Sequence, residues 1–160
     1  MRFPSLSIRH FFAGICLEMG KLKEFILSKP AMATTTAFAP ELYIPRGTFD
    51  ISFYQEAFAA KEHFRFTNED GSIHVVELSI DGAIFHIHEG MPNSFFKSPD
   101  TLNHSTVCIG LFVDDVAKVF DSCVAAGAKI INPVTDHDYG YRQSMIQDPF
   151  GHLWQIQKKI

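Results

Sequence analysis

Ala126-Gly127-Ala128-Lys129 repeats, 68 residues further along the chain, the pattern of Phe58-Ala59-Ala60-Lys61. A similar offset of 69 residues separates the glycines of two tight turns, Asp81-Gly82 and Phe150-Gly151, and an alternating strand pattern follows each turn. A repeat of this length is long enough to carry a whole supersecondary unit. The sequence therefore predicts two copies of one small module packed face to face, with a ligand site between the copies.

Composition limits the class of protein. The chain has 160 residues, of which 46% are hydrophobic and 20% charged, which is enough to bury the core of one domain. The net charge is −4, and no run of Lys and Arg is present, which argues against nucleic acid or an anionic membrane as the main partner. Three widely spaced cysteines, Cys16, Cys108 and Cys123, form neither a disulfide framework nor a zinc-ligand pattern. We expect a cytoplasmic protein.

Residues 1–31 differ in character from the rest of the chain. The apolar stretch 11–17 is shorter than the core of most signal peptides and far too short to span a bilayer. At Met32 the composition changes abruptly to the polar stretch 33–37. We expect either that Met32 is the biological start or that residues 1–31 form a dispensable N-terminal extension. The alternative is a helix over 11–27 that docks on the domain.

From residue 39 onward the helix and strand periodicities occur twice in the same order. The first set predicts a strand over 41–44, a helix capped by Thr48 with Asp50 in its first turn, and strands over 62–66, 73–79 and 83–88. After a polar loop, 90–103, the second set predicts a strand over 106–113, a helix capped by Asp114 and ended by Gly127, and strands over 129–134, 141–147 and 152–157. The prediction is an α+β fold of two tandem βαβββ modules, residues 39–88 and 106–157. They form a cup-shaped mixed sheet with the helices on its outer face.

Strand alternation predicts which side chains line the cavity. Leu42, Ile44, Phe85, Ile87, the odd-numbered residues 107–113, Trp154 and Ile156 are expected to face the helices. A two-residue loop at Asp81-Gly82 would place Glu77 directly opposite His86. A three-residue loop at Pro149-Phe150-Gly151 would set the last hairpin. The predicted lining is Glu41, Tyr43, Glu77, His86, His88, Cys108, Phe112, Tyr141, Gln143 and Gln155, together with Gly110, Met145 and Gln157.

His86 and Glu77 are the candidate catalytic residues. A carboxylate beside an imidazole would orient the ring and favour its action as a general base. The alternative is an ordinary cross-strand pair that satisfies two polar groups. His74 is expected on the helix side of the sheet.

A further stretch carries a family resemblance. Asp148-Pro149-Phe150-Gly151-His152-Leu153-Trp154, together with Phe53-Tyr54 and residues 126–129, resembles the vicinal oxygen chelate superfamily of glyoxalase I, bleomycin-resistance proteins and extradiol dioxygenases. Tyr139-Gly140-Tyr141-Arg142 is similar to its PhnB-like branch. The resemblance covers residues 37–160 and implies a glyoxalase-like fold. It does not by itself fix the chemistry, because one fold hosts many functions.

The resemblance also implies four positions for a metal. Members that use a metal hold it with one side chain from the first and last strand of each module, which here correspond to Ala39, His86, Cys108 and Gln155. The repeat offset independently pairs His86 with Gln155. Ala39 has no donor atom, and a catalytic metal usually needs about three protein ligands. We therefore expect no cofactor. The alternative is a divalent metal held by His86 with Glu41, Glu77 or His88.

Two functions are consistent with these residues. The first is a binding protein whose cavity, in a monomer or a homodimer, holds a small aromatic or amphipathic molecule without chemistry, as the resemblance to bleomycin-resistance proteins implies. The second is a metal-dependent lyase or isomerase of the glyoxalase type, acting on a substrate with adjacent oxygens. The incomplete ligand set favours the first. A subunit with a vestigial cavity has no sequence signal for or against it.

Overall fold

The structure is a computed structural model and describes residues 37–160. The interpretation of residues 1–31 and of Met32 concerns residues outside this range. Residues 38–160 form one compact unit that contains two four-stranded mixed sheets. The predicted α+β class and the two βαβββ modules are confirmed.

The two modules have the same order of elements. The first module, residues 41–89, consists of β1 (Glu41–Ile44), α1 (Ser52–Phe58), β2 (Lys61–Thr67), β3 (Ile73–Ile80) and β4 (Ala83–Glu89). A short helix, α2 (Pro99–Leu102), lies in the linker. The second module, residues 108–159, consists of β5 (Cys108–Phe112), α3 (Val116–Ala125), β6 (Lys129–His137), β7 (Tyr141–Gln147) and β8 (Leu153–Lys159). The strand orders are β1-β4-β3-β2 and β5-β8-β7-β6, and the first strand of each module runs parallel to the last.

Both predicted helix caps were wrong by a few residues. The Thr48 hydroxyl donates to the carbonyl of Pro45, 2.6 Å away, and closes a turn ahead of the helix. Helix α1 begins at Ser52, whose N–H donates to the Asp50 carboxylate at 2.8 Å. In α3 the cap is Asp115, which accepts from the N–H of Lys118 at 3.1 Å, and not the adjacent Asp114. Neighbouring acidic residues have the same capping chemistry, so residue type alone does not select between them.

The linker carries structure that the predicted polar loop did not include. Pro99 occupies the start of α2, where its missing N–H has no helical partner to lose. The linker passes close to Gly151, where a Cβ atom would lie 3.0 Å from the backbone nitrogen of Asp100. Gly151 also has a φ of +93°, so both the turn and this approach require glycine.

The hydrophobic core lies between the two sheets. One cluster of buried side chains contains residues of both modules, and α1 packs against α3 within it. The Trp154 ring lies 4.7 Å from that of Phe58 and 6.0 Å from that of Phe85. The Tyr54 hydroxyl donates to the Asp148 carboxylate at 2.9 Å and joins the modules across the core. Because side chains alternate along a strand, the opposite face of each sheet points away from this core. We call these the first and second open faces.

The predicted strand registers hold at the residues that define the open faces. Asp81 and Gly82 both have positive φ and form the expected two-residue turn, so Ile80 pairs with Ala83 and Glu77 with His86. The predicted three-residue loop at Pro149-Phe150-Gly151 is present. The N–H of Asp148 donates to the carbonyl of His152 at 2.9 Å, and Gly151 has a φ of +93°, as a bulge at that glycine requires. The side chains of the last hairpin therefore keep their predicted sides. The prediction for Val107 was wrong: it precedes β5 and is 66% exposed.

Among residues 37–160, no helix is long and apolar enough to cross a membrane.

Candidate functional site

The first open face brings a carboxylate and two histidines together. Strand β1 runs parallel to β4, in a register that sets Glu41 beside His86 and Tyr43 beside His88. The side chains of His86 and His88 share a face because they are two residues apart. One donor atom from each of Glu41, His86 and His88 lies within 4.8 Å of the other two. This spacing is suited to binding one small cation or one polar group of a ligand.

Glu77 contacts His86 from the neighbouring strand β3. The His86 Nε2 atom lies 3.3 Å from a carboxylate oxygen of Glu77, and both side chains are partly exposed. The candidate catalytic pair therefore meets, in the predicted cross-strand register. This contact orients the imidazole ring and leaves its Nδ1 atom for another partner.

Tyr43 forms an aromatic wall beside this cluster. Its ring stacks on His88 with centroids 5.5 Å apart and on Phe96 with centroids 4.9 Å apart. Its hydroxyl lies 3.5 Å from Glu41, and partial burial together with the Glu41 charge raises the pKa of Tyr43. The hydroxyl is therefore a hydrogen-bond donor at neutral pH. Sequence reasoning missed Phe96, because a linker residue outside the repeat has no periodicity to place it.

His88 is half-buried on this face. Burial lowers the pKa of His88, and the neighbouring His86 and His74 act in the same direction against the opposing effect of Glu41. The ring is therefore neutral at neutral pH. Its Nε2 atom is buried and has no hydrogen-bond partner among the described residues.

The second open face is lined by amides and aromatic rings. Gln143 and Gln155 each donate to the side-chain oxygen of Gln157, at 2.8 Å and 3.1 Å. The rings of Phe112 and Tyr141 lie 6.4 Å apart. A cavity of about 420 Å³ on this face is lined by residues of the second module, including Gln143 and Gln155.

A larger cavity, of about 880 Å³, follows the edges of β1 and β5. Its lining includes Glu41, Tyr43 and Cys108 but neither His86 nor His88. The largest part of the cavity therefore does not coincide with the cluster of Glu41 and the two histidines. Burial raises the pKa of Cys108, which is a thiol at neutral pH. Its side chain is exposed on the edge strand β5.

The predicted lining residues thus fall into two groups on separate faces. The first open face carries Glu41, Tyr43, Glu77, His86 and His88, and the second carries Phe112, Tyr141, Gln143 and Gln155. One cavity between the two copies was predicted. The 880 Å³ cavity is lined by residues of both modules and contains Glu41, Tyr43, Cys108 and Gly110 of the predicted lining, but not the two histidines. Periodicity identifies the two copies but does not specify how they pack.

The four metal positions implied by the family do not fit a metal. Ala39 has no donor, and Gln155 lies on the other face from His86 with its amide donating to Gln157. Cys108 lies on the edge strand β5 of the second sheet, whereas His86 lies on the first sheet. His86 is therefore the one ordinary ligand among the four.

Two βαβββ modules around a shared core define a protein of the glyoxalase fold class. The sequence profile of the Glyoxalase/Bleomycin resistance protein/Dioxygenase superfamily matches residues 50–156, more than half of the chain. The chain belongs to this superfamily. The predicted resemblance is confirmed at that level.

Individual relatives support the same assignment. An uncharacterized protein of Mycobacterium bovis is 29% identical over 133 residues, covering 81% of this chain and 88% of the relative. The structure of TioX from Micromonospora sp. ML1 is 24% identical, covers 78% of this chain and 100% of its own, and has a TM-score of 0.59. A gene product from Arabidopsis thaliana is 23% identical with the same coverage and a TM-score of 0.62. Both structures share the fold.

Proposed function

We propose that this protein binds a small aromatic or amphipathic molecule on its open faces, without the four-ligand metal centre of the superfamily. The observation that carries the proposal is the composition of these faces. Along each strand, the side chains on the open face are aromatic or polar. The alternate side chains, on the opposite side of the same strands, are buried and apolar. Aromatic walls with a few placed polar groups are typical of small-molecule sites.

We further propose that a homodimer completes the cavity. Strands β1 and β5 are at the edges of their sheets, and an unpaired strand edge favours pairing with another chain. Val107 and Phe112, near the β5 edge, are 66% and 62% exposed. A second copy that covers these edges places the first open face of one protomer opposite the second open face of its partner. The ligand then contacts Tyr43 and His86 from one chain and Gln143 and Gln155 from the other.

We also propose a cytoplasmic location and membership of the PhnB-like branch of the superfamily. Cys108 and Cys123 are free thiols, consistent with the reducing cytoplasm. The stretch Tyr139-Gly140-Tyr141-Arg142, which forms a turn and the start of β7, supports the PhnB-like branch through its sequence similarity.

The second candidate function is a metal-dependent lyase of the glyoxalase type. The observation that favours it is the contact between Glu77 and His86, which is the geometry of an oriented general base. In that case Glu77 and His86 are the catalytic residues.

A fluorescence titration tests the binding function. The probe is 8-anilinonaphthalene-1-sulfonate, a small amphipathic aromatic anion, added to the full chain in the presence of EDTA. We expect saturable binding, weakened in His86→Ala by roughly 1–2 kcal/mol for a lost hydrogen bond. His74→Ala removes a histidine on the opposite side of β3 and is the matched control, with unchanged affinity. Equal affinity in wild type and His86→Ala contradicts the proposed site.

A turnover assay separates the two candidate functions. The hemithioacetal of methylglyoxal and glutathione is offered to protein supplemented with Zn²⁺ or Ni²⁺. We expect no turnover. Metal-dependent turnover that is lost in His86→Ala establishes the lyase and overturns the binding function.

A further inference from the structure

The polar cluster of the first open face shares His86 with the family's metal positions and adds two residues that are not among them. Glu41, the first residue of β1, follows Ala39 by two residues, and His88 follows His86 by two residues on the same side of β4. Ala39 has no donor atom, but Glu41, two residues later, supplies a carboxylate. Glu41 lies beside His86 in the parallel register of β1 and β4.

A second, independent observation marks this cluster. The Nε2 atom of His88 is buried and has no hydrogen-bond partner among the described residues. A buried polar atom without a partner is unfavourable, and such atoms are rare in native structures. The His88 ring stacks on Tyr43, and this contact holds the imidazole in place. The Nε2 atom of His88 makes no hydrogen bond to a described residue that would position the ring.

Glu77 supplies the support that a metal-binding histidine usually has. It contacts the Nε2 atom of His86 at 3.3 Å, which leaves Nδ1 for a metal. A carboxylate on the second ring nitrogen fixes the orientation of a ligating imidazole and increases its strength as a ligand. Glu77 is a positioning residue in this arrangement, while the three ligands are Glu41, His86 and His88.

We propose that Glu41, His86 and His88 form a binding site for one divalent transition-metal ion, contained within the first module. The donor atoms lie within 4.8 Å of one another, as ligands around one ion must. Two imidazoles and a carboxylate suit Zn²⁺, and three protein ligands leave a coordination position open. This site takes no ligand from the second module, and it requires no partner subunit. His86 is shared with the proposed small-molecule site, but the binding of the ion alone does not rest on the proposed function.

Titration with Zn²⁺ alone tests the site. The full chain is stripped with EDTA, dialysed and titrated by isothermal calorimetry, with Co²⁺ absorption as a second readout of coordination. We expect saturation at one equivalent per chain. Glu41→Gln and His88→Gln keep the shape of exposed or half-buried side chains and are each expected to weaken Zn²⁺ binding by more than about tenfold. Glu77→Gln is expected to weaken it by roughly tenfold, as the loss of a supporting carboxylate does.

Two further variants distinguish this site from the family's positions. Cys108→Ser and Gln155→Ala remove the donors that the second module would supply, and we expect Zn²⁺ affinity to be unchanged in both. His74→Asn removes a histidine that pairs with Glu89 on the other side of β3, and it is the matched control for a lost surface histidine. Circular dichroism melts confirm that each variant is folded.

Three results overturn the proposal. The first is the absence of saturable Zn²⁺ binding to the wild type. The second is a tenfold loss in Cys108→Ser or Gln155→Ala, which assigns the ion to the family's positions. The third is unchanged affinity in folded Glu41→Gln and His88→Gln, which assigns the ion to other surface groups. None of these results depends on whether a small organic molecule binds.

Discussion

Asp148 links residues of both modules through side-chain hydrogen bonds that no pattern in the sequence predicted. Its carboxylate accepts hydrogen bonds from the Tyr54 hydroxyl, the Trp154 indole and the N–H groups of Phe150 and His152. Two of these bonds hold the turn of the last hairpin, and the bond from Tyr54 ties that turn to the first module. A buried carboxylate with this many donors is stabilising, because each donor compensates part of the lost hydration.

Replacing Trp154 tests this junction. Trp154 is 2% exposed and lies against Phe58, Phe85 and Tyr54. Trp154→Ala removes the indole from between the modules and is expected to lower the free energy of unfolding by about 3–5 kcal/mol. Urea denaturation measures the change. Phe95→Ala, at a fully exposed ring, is the control and is expected to have little effect. A loss below about 1 kcal/mol in Trp154→Ala would contradict the assigned core.

At the scale of elements, α3 is held to its sheet by a few buried side chains, among them Val116 and Cys123. Cys123 has no exposed surface, and burial raises the pKa of its thiol to about 12. An unfolded chain releases this proton near the ordinary thiol value of 9.0. The stabilisation from the neutral thiol is therefore complete below about pH 9 and is lost as the pH rises toward 12.

This thiol predicts a loss of stability in alkali. Above pH 9 the folded state holds one proton more than the unfolded state, so the free energy of unfolding falls by up to about 1.4 kcal/mol per pH unit. Tyr54, whose pKa is also raised by burial and by Asp148, adds to the loss above about pH 10. Urea titrations at pH 8 and 9.5, under reducing conditions, measure the slope. The Cys123→Ala variant is expected to be less stable at pH 8, but its free energy of unfolding should fall less between pH 8 and 9.5. An equal fall in both proteins would contradict the assignment.

The elements show how far local patterns determine the fold. Helix and strand periodicity, the two-residue turn at Asp81-Gly82 and the core face of β4 were predicted, because each depends on residues close in sequence. The caps and α2 were not. Several residues near Thr48 and Asp114 satisfy the same capping rule, and α2 is shorter than the span over which helical periodicity can be recognised.

At the scale of the whole molecule, the proposed homodimer predicts a mass. Sedimentation equilibrium of the full chain is expected to give twice the 18.0 kDa of one chain. Val107→Glu adds a charge at the β5 edge, where the side chain is 66% exposed, and is expected to shift the protein toward monomer without loss of folding. Ile160→Glu, at a residue 58% exposed at the C-terminus, is the control. A wild type that remains at 18.0 kDa refutes the dimer.

The relation between the two sheets was beyond the reach of the sequence. The repeat specifies two equivalent modules, and alternation specifies an apolar and a polar side for each strand. Neither determines how the two modules pack against each other. That choice depends on long-range contacts such as Tyr54 with Asp148, which are 94 residues apart. The candidate site was predicted residue by residue, but its division between two faces was not.

The shared core also has a consequence for synthesis on the ribosome. The first module is complete at Glu89, yet the aromatic side of its helix is covered by Trp154, which follows 65 residues later. At about 5–20 residues per second, translation of this interval takes roughly 3–13 s. During that time the growing chain exposes Phe58 and Phe85 to any chaperone at the tunnel exit. A hydrophobic surface that is uncovered for seconds makes the newly made first module a substrate for such a chaperone. In the finished protein Trp154 covers this surface, so the chaperone no longer binds there.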